Sequence, residues 1–392
     1  MLNTIALIII FGIILGALLK KLRLPSLLGM ILTGIILGPH MFNLIDSSIL
    51  DISSDIRQIA LVIILTRAGL ALDTKDLKLI GRPAILMCFI PALFEIIGFI
   101  ILGPKLFNLT LLDSAILGTT IAAVSPAVIV PKMLNLMESG YGVNKRIPQL
   151  ILAGASVDDI FVIVLFTALT SIAKTKAELS AKILFEIPIS ITLGILLGIL
   201  AGIFLTYIFK KIHTRDSNKI LIILSTSFFF LTIENQLKGI VPISGLLAVM
   251  SLGSTILKLY EPLAKRISIK YSKLWVAAEI FLFVLVGASI DISYALKLGV
   301  FSIIILIGTL IFRFLGVYIS LLKTNLSNKE KIFIAFSYMP KATVQAAIGG
   351  IPLSMGIASG EIILTIAVVS ILLTAPIGAI LIDSTYKKLL SK

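Results

Sequence analysis

Charge is scarce in this sequence. Only 14% of its 392 residues are Asp, Glu, Lys or Arg, while 58% are hydrophobic and the mean hydropathy is +1.12. That balance excludes a soluble globular domain and indicates a polytopic membrane protein. The single cysteine, Cys88, lies in an apolar segment; it excludes an internal disulfide and reads as a small packing residue. No metal-ligand spacing, glycine-rich phosphate loop or nucleophile with a neighbouring base occurs, so neither a cofactor nor an enzymatic activity is expected. The two histidines, His40 and His213, sit in short connections, where each either senses pH or is simply solvated. No Pro/Ser-rich linker, charged tail or low-complexity block interrupts the chain, and residues 1–392 are expected to form one membrane domain without a soluble appendage. The net charge of +14 does not signal nucleic-acid binding, because no basic run is interleaved with aromatics. The opening MLNTIALIIIFGIILGALLKKLRL carries its cations after the apolar run and so reads as a retained first span.

What is present is a succession of thirteen apolar runs, at 2–19, 25–39, 57–72, 82–103, 111–134, 148–173, 184–209, 218–235, 240–257, 273–290, 299–322, 331–352 and 360–382. They predict an all-α protein with thirteen transmembrane helices. Counting a charge at the edge of a run with the adjoining connection, 24 of the 34 Lys and Arg belong to connections after odd-numbered runs or to the C-terminal tail and 7 to connections after even-numbered ones, while Arg67, Arg313 and Lys341 lie within runs. The positive-inside rule then puts the N-terminus outside and the C-terminus in the cytoplasm. Trp275 and Tyr271 are placed in an interfacial aromatic belt, and Arg67 near the end of the third run is expected to snorkel towards the cytoplasm.

The chain also resembles itself. AGLALD (68–73) returns as VGASID (286–291), 218 residues later, and LPSLLGMILTG in the second run is echoed by VPISGLLAVMS in the ninth. A shift of seven helices reverses orientation, which predicts two inverted six-helix repeats, about 1–173 and 218–392, joined by a linker helix at 184–209. In the repeats' fifth helices, runs five and twelve, GTTIAAVSPAVIVPKM holds Pro126 and Pro131, and FSYMPKATVQAAIGGIP holds Pro340 and Pro352. Proline breaks the helical ladder, and non-helical backbone at membrane depth is tolerated where it lines a cavity. Helices 5 and 12 are therefore expected to be discontinuous and to cross, with their freed carbonyls and the hydroxyls of Thr120 and Ser125 as candidate cation ligands.

The charges inside the apolar runs single out the site. Asp158 and Asp159 stand together near the middle of run six, in GASVDDIFVIVLF. An acid at the bilayer centre costs about 2.5–3.5 kcal/mol on insertion scales and is by default functional. Glu95 and Arg313, mid-run and 218 residues apart, are expected to pair, whether as glue for the bundle or as part of transport. Lys341 is expected to act as counter-charge to Asp158 or Asp159.

These residues resemble a known family. IALVIILTRAGLALD, TTIAAVSPAVIVPKM, GASVDDIFVIVLF and MPKATVQAAIGG are similar to the monovalent cation:proton antiporters, in the sodium/proton branch that includes the animal NHA-type exchangers. The resemblance implies that Asp159 binds the transported cation and that Asp158 adds charge and water-mediated contacts. It also implies that Arg313 stands where many bacterial members carry lysine, and that a core domain moves against a dimerisation domain in a homodimer of the cell membrane. Arginine does not release its proton as a lysine can, so coupling through that position is not expected here. The activity implied is exchange of Na⁺ or Li⁺ for H⁺ by alternating access, with cation and proton competing for Asp159. A potassium/proton antiporter shares the architecture; an ion-coupled organic-anion symporter shares inverted repeats but usually has ten helices. An intramembrane aspartyl protease also needs two buried aspartates, but on different helices.

Overall fold

The computed structural model describes residues 1–22, 24–71, 81–175, 181–212, 214–237 and 241–392, and the described residues are helical with short connections. In chain order the helices are α1 (Leu2–Lys21), α2 (Ser26–Leu37), α3 (Ser47–Asp51), α4 (Ser53–Ala71), α5 (Arg82–Met87), α6 (Ile90–Phe107), α7 (Leu111–Ala122), α8 (Pro126–Ser139) and α9 (Ile147–Thr175). The second half follows with α10 (Ala181–Lys211), α11 (Asp216–Gln236), α12 (Gly245–Leu259), α13 (Glu261–Ala288), α14 (Ile292–Ser320), α15 (Asn328–Ser337), α16 (Thr343–Ile348), α17 (Ile351–Ser354) and α18 (Gly360–Leu389).

Among the described residues, nine helical segments are long and apolar enough to cross a membrane, counting α5 with α6 and α7 with α8 as single spans. Of the thirteen predicted runs, the second and ninth form the shorter α2 and α12. The twelfth is broken into α15, α16 and α17. A membrane explains the surface of α1, which exposes Ile10, Ile13, Ile14 and Leu18 while it buries Thr4, Ile8, Gly12 and Gly16. The buried set repeats every four residues, as one face of a helix must.

The contacts divide the chain into two compact units. The first comprises the described residues within Met1–Ser54, Thr74–Val162 and Ile280–Lys392. In it α1 packs on α2, α6 lies against α7 and α14, and α18 lies against α7, α8 and α15. One glycine shows how closely backbones approach: a Cβ at Gly34 of α2 would lie 1.9 Å from Val284 O of α13. Small residues that let backbones touch are the usual means of association in lipid, where apolar burial alone gives no drive. Where α15 begins, Ser327 and Glu330 form a reciprocal capping box, and Lys145 Nζ donates to Glu330 Oε2 at 2.8 Å.

The second unit comprises the described residues within Asp55–Asp73 and Ile163–Glu279. In it α12 packs on α10 and α11. Trp275 and Tyr271 belong here, and their expected place in a lipid-facing belt is corrected: Trp275 is 6% exposed and Tyr271 fully buried. An aromatic ring near Lys and Arg looks interfacial in sequence, but these two rings are buried. Arg67 is half-buried on α4 and lies in the electrostatic field of Glu279, an acid within run ten that no motif or repeat partner had marked.

Candidate functional site

Helix α7 ends at Ala122 and α8 restarts at Pro126. Proline at the first position of a helix loses an N–H that would have had no helical partner. Ser125 before it is extended, with φ −86° and ψ 110°. In run twelve α15 ends at Ser337, ahead of Pro340, and α16 begins at Thr343. The two gaps meet. Ser125 N donates to Pro340 O at 2.9 Å, and Ser125 Oγ lies 3.1 Å from Thr343 Oγ1. Both side chains are buried.

The carbonyls released by the first gap accept hydrogen bonds from side chains of the protein. Gln345 Nε2 donates to Ile121 O and to Ala123 O, each at 2.8 Å. Ala122 O accepts from both Arg313 Nη1 and Lys341 Nζ. Cations suit this place because the C-terminal end of a helix carries partial negative charge. Thr120 Oγ1 donates to Ile116 O of its own helix at 2.8 Å, which leaves the lone pairs of its oxygen free.

The buried charges form a network across four elements. Arg313 on α14 donates from Nη1 to Glu95 Oε2 at 2.5 Å and from Nη2 to Asp158 Oδ2 at 3.1 Å. Its Nε donates to Tyr338 O, and its guanidinium lies 5.5 Å from the centre of the Tyr338 ring. Lys341 Nζ donates to Glu95 Oε2 at 2.6 Å. The structure thus brings Glu95 and Arg313 together; Lys341 bonds directly to Glu95, while its charge also acts on Asp158 and Asp159 without a direct bond. Arg313, with its longer planar fork, spans both acids where the ammonium serves one.

Asp158 and Asp159 are neighbours on α9, so their side chains leave the helix about 100° apart. Asp158 is fully buried; its Oδ2 also accepts Val124 N from the first gap at 3.0 Å. Among the described residues, Asp158 Oδ1 and Asp159 Oδ1 are buried and have no hydrogen-bond partner. Two cations, Arg313 and Lys341, stand against two directly bound acids, Glu95 and Asp158. Asp159 is the carboxylate left over.

Tyr338 and Val124 N join the network without a signal in the sequence, whereas Gln345 comes from the stretch between Pro340 and Pro352 of run twelve that also supplies Lys341 and Thr343. Cys88 is buried, its thiol donating to Ala84 O at 3.1 Å. His40 is exposed, while His213 and Asp73 lie outside the described residues. No group of three or more His, Cys, Asp or Glu placed to hold a metal occurs among the described residues.

The chain matches the family model described as sodium/hydrogen exchanger, transmembrane, over residues 5–388. It is 33% identical over 389 residues to sodium/hydrogen exchanger 9B2 of Mus musculus, covering 94% of this chain and 69% of that protein. It is 32% identical over 417 residues to sodium/hydrogen exchanger 9B2 of Homo sapiens, covering 100% of this chain and 76% of that one. In fold it is similar to the sodium proton antiporter MjNhaP1 of Methanocaldococcus jannaschii at pH 8, with a TM-score of 0.85 and 21% identity over 99% of this chain and 98% of that one.

Proposed function

The chain belongs to the transmembrane sodium/hydrogen exchanger family, and from that premise we propose that it exchanges Na⁺, or Li⁺, for H⁺ across a membrane by alternating access, with both ions competing for Asp159. The observation that carries this reading is the charge balance at the crossing. Arg313 and Lys341 are matched by Glu95 and Asp158, which leaves Asp159 as an uncompensated acid whose Oδ1 is buried. An unpaired charge in a low-dielectric interior costs several kcal/mol, so such an acid holds either a proton or a cation. That exclusive choice is the coupling. The site loaded with either ion is neutral overall and can cross; the empty site carries a net charge and cannot.

Asp158 keeps its charge throughout, held by Arg313 and Val124 N, and adds field strength to the site. The Ser125 and Thr343 hydroxyls offer neutral oxygens at the crossing. Glu95, Arg313 and Lys341 hold the interruptions together and compensate charge. One proton then moves per cation. No cofactor enters this scheme, because the ions are the substrates.

The wider organisation we propose has inverted repeats at about 1–173 and 218–392 and a linker helix between them. Two contacts support it, Ser125 with Thr343 and Glu95 with Arg313, each between residues 218 apart. The Lys and Arg asymmetry supports a cytoplasmic C-terminus, and the resemblance supports a homodimer in the cell membrane.

The test is the response of a pH dye in proteoliposomes to NaCl, LiCl and KCl, for the wild type and Asp159→Asn. A sodium or lithium response that is lost in a folded Asp159→Asn establishes the site. Persistence of the response in that variant removes Asp159 from it.

A further inference from the structure

Tyr338 is the largest buried polar side chain at the crossing to which the exchange scheme gives no role. It is fully buried, and its hydroxyl has no hydrogen-bond partner among the described residues. Leaving a buried hydroxyl unpaired is unfavourable, while the same ring without oxygen would bury at no such cost. The oxygen's place is narrowly defined: a Cβ at Gly154 would lie 1.9 Å from Tyr338 Oη, and only glycine at 154 lets the phenol reach the surface of α9. Residue 154 is one helical turn before Asp158. Side chains at i and i+4 share a face, and the Cα–Cβ bond of the later residue tilts towards the helix N-terminus. The Asp158 side chain therefore leans towards the turn on which the phenol rests. Its Oδ1 is an acceptor without a partner, and Tyr338 Oη is a donor without one. Arg313 joins the two residues, with Nη2 on Asp158 Oδ2 and its guanidinium over the Tyr338 ring.

Resting on the reading that Asp158 and Asp159 form the exchange site, we propose that Tyr338 is a positioning residue for it, its hydroxyl donating to Asp158 Oδ1 during the cycle and fixing the orientation of that carboxylate while the cation is bound. The ring and the Tyr338 carbonyl meanwhile hold Arg313 on the other oxygen of Asp158. Gly154 is part of the device, since it provides the notch that admits the phenol.

The experiment is Tyr338→Phe in proteoliposomes, with apparent KM and maximal rate for Na⁺ and Li⁺ measured beside the wild type and Asp159→Asn, and with thermal stability followed in detergent. A hydrogen bond to a charged group corresponds to about a tenfold effect or more. Tyr338→Phe is expected to raise KM for both cations about tenfold, to leave the maximal rate within about twofold, and to melt no lower than the wild type. Ring-fluorinated tyrosine at 338 keeps the shape and makes a stronger donor; it is expected to lower KM. It also decides the matter if Tyr338→Phe does not fold. Unchanged KM in both variants, while Asp159→Asn still abolishes exchange, overturns the role of Tyr338 and leaves the site intact. Exchange that survives Asp159→Asn overturns the site itself.

Discussion

Ser125 and Thr343 touch through their hydroxyls at 3.1 Å although 218 residues separate them. The same interval separates Glu95 from Arg313, which also touch. Under the inverted-repeat organisation proposed above, both pairs are equivalent residues of the two copies, which meet only where the axis relating the copies passes. Both contacts lie in the unit that carries Asp158 and Asp159.

The two hydroxyls form a pair that a double-mutant cycle measures. Ser125→Ala and Thr343→Ala are each expected to lower thermal stability by the equivalent of about 1 kcal/mol. The double variant should lose little more than either single one, because the second change removes a partner already idle. Fully additive losses in thermal unfolding of the purified protein would show that the hydroxyls act independently.

Glu95 serves two cations with one oxygen. Glu95→Gln leaves Arg313 and Lys341 facing each other without their shared acid, and a drop of about 3 kcal/mol or more is expected from breaking a buried pair. Adding Lys341→Met should return part of that stability by restoring the balance of charge. The measurement is the melting temperature of the wild type and the two variants in one detergent, and a double variant no more stable than Glu95→Gln contradicts the shared-acid arrangement.

If only Asp159 changes partner, exchange moves no net charge. Rates in proteoliposomes should then be the same with the membrane potential clamped at zero or at 100 mV of either sign. If Asp158 also cycled, the potential would contribute about 2.3 kcal/mol per charge per 100 mV, an effect visible as a strong voltage dependence.

Glu330 gives a pH signature outside the site. Burial pushes its carboxyl up, but the bonds from Lys145 and Ser327 outweigh burial and hold it below the usual glutamate range. A group lowered in the folded state stabilises above its unfolded value, about 4.3, and that contribution fades as pH falls through the lowered value. The melting temperatures of wild type and Glu330→Gln should therefore differ at neutral pH and converge once the pH falls below the lowered value of the folded state. A gap that persists in acid would assign the effect to packing.

Much of this arrangement was legible in the sequence because membranes make polar residues expensive. Two acids in run six and a Glu–Arg pair at the repeat interval had few explanations, and proline marked both interruptions. Lys341 was harder. In sequence it is a cation near a break, and only the fold shows that Arg313 reaches Asp158 and leaves Lys341 to Glu95. Tyr338 carried no charge to betray it. Composition near a membrane surface does not say which way the rings of Trp275 and Tyr271 face, and Glu279 has no charged counterpart at the interval of 218 residues.

The gap after α7 presents three successive carbonyl oxygens, those of Ile121, Ala122 and Ala123, and all three are taken by side chains of the protein itself. In potassium channels rings of such oxygens replace an ion's water shell. Here the oxygens answer to Arg313, Lys341 and Gln345, and Ala122 O has both lone pairs engaged. Under the proposed scheme, in which carboxylate and hydroxyl oxygens receive the cation, the choice between small and large ions would rest on the pull of concentrated negative charge against hydration, and not on the fit of an ion to a ring.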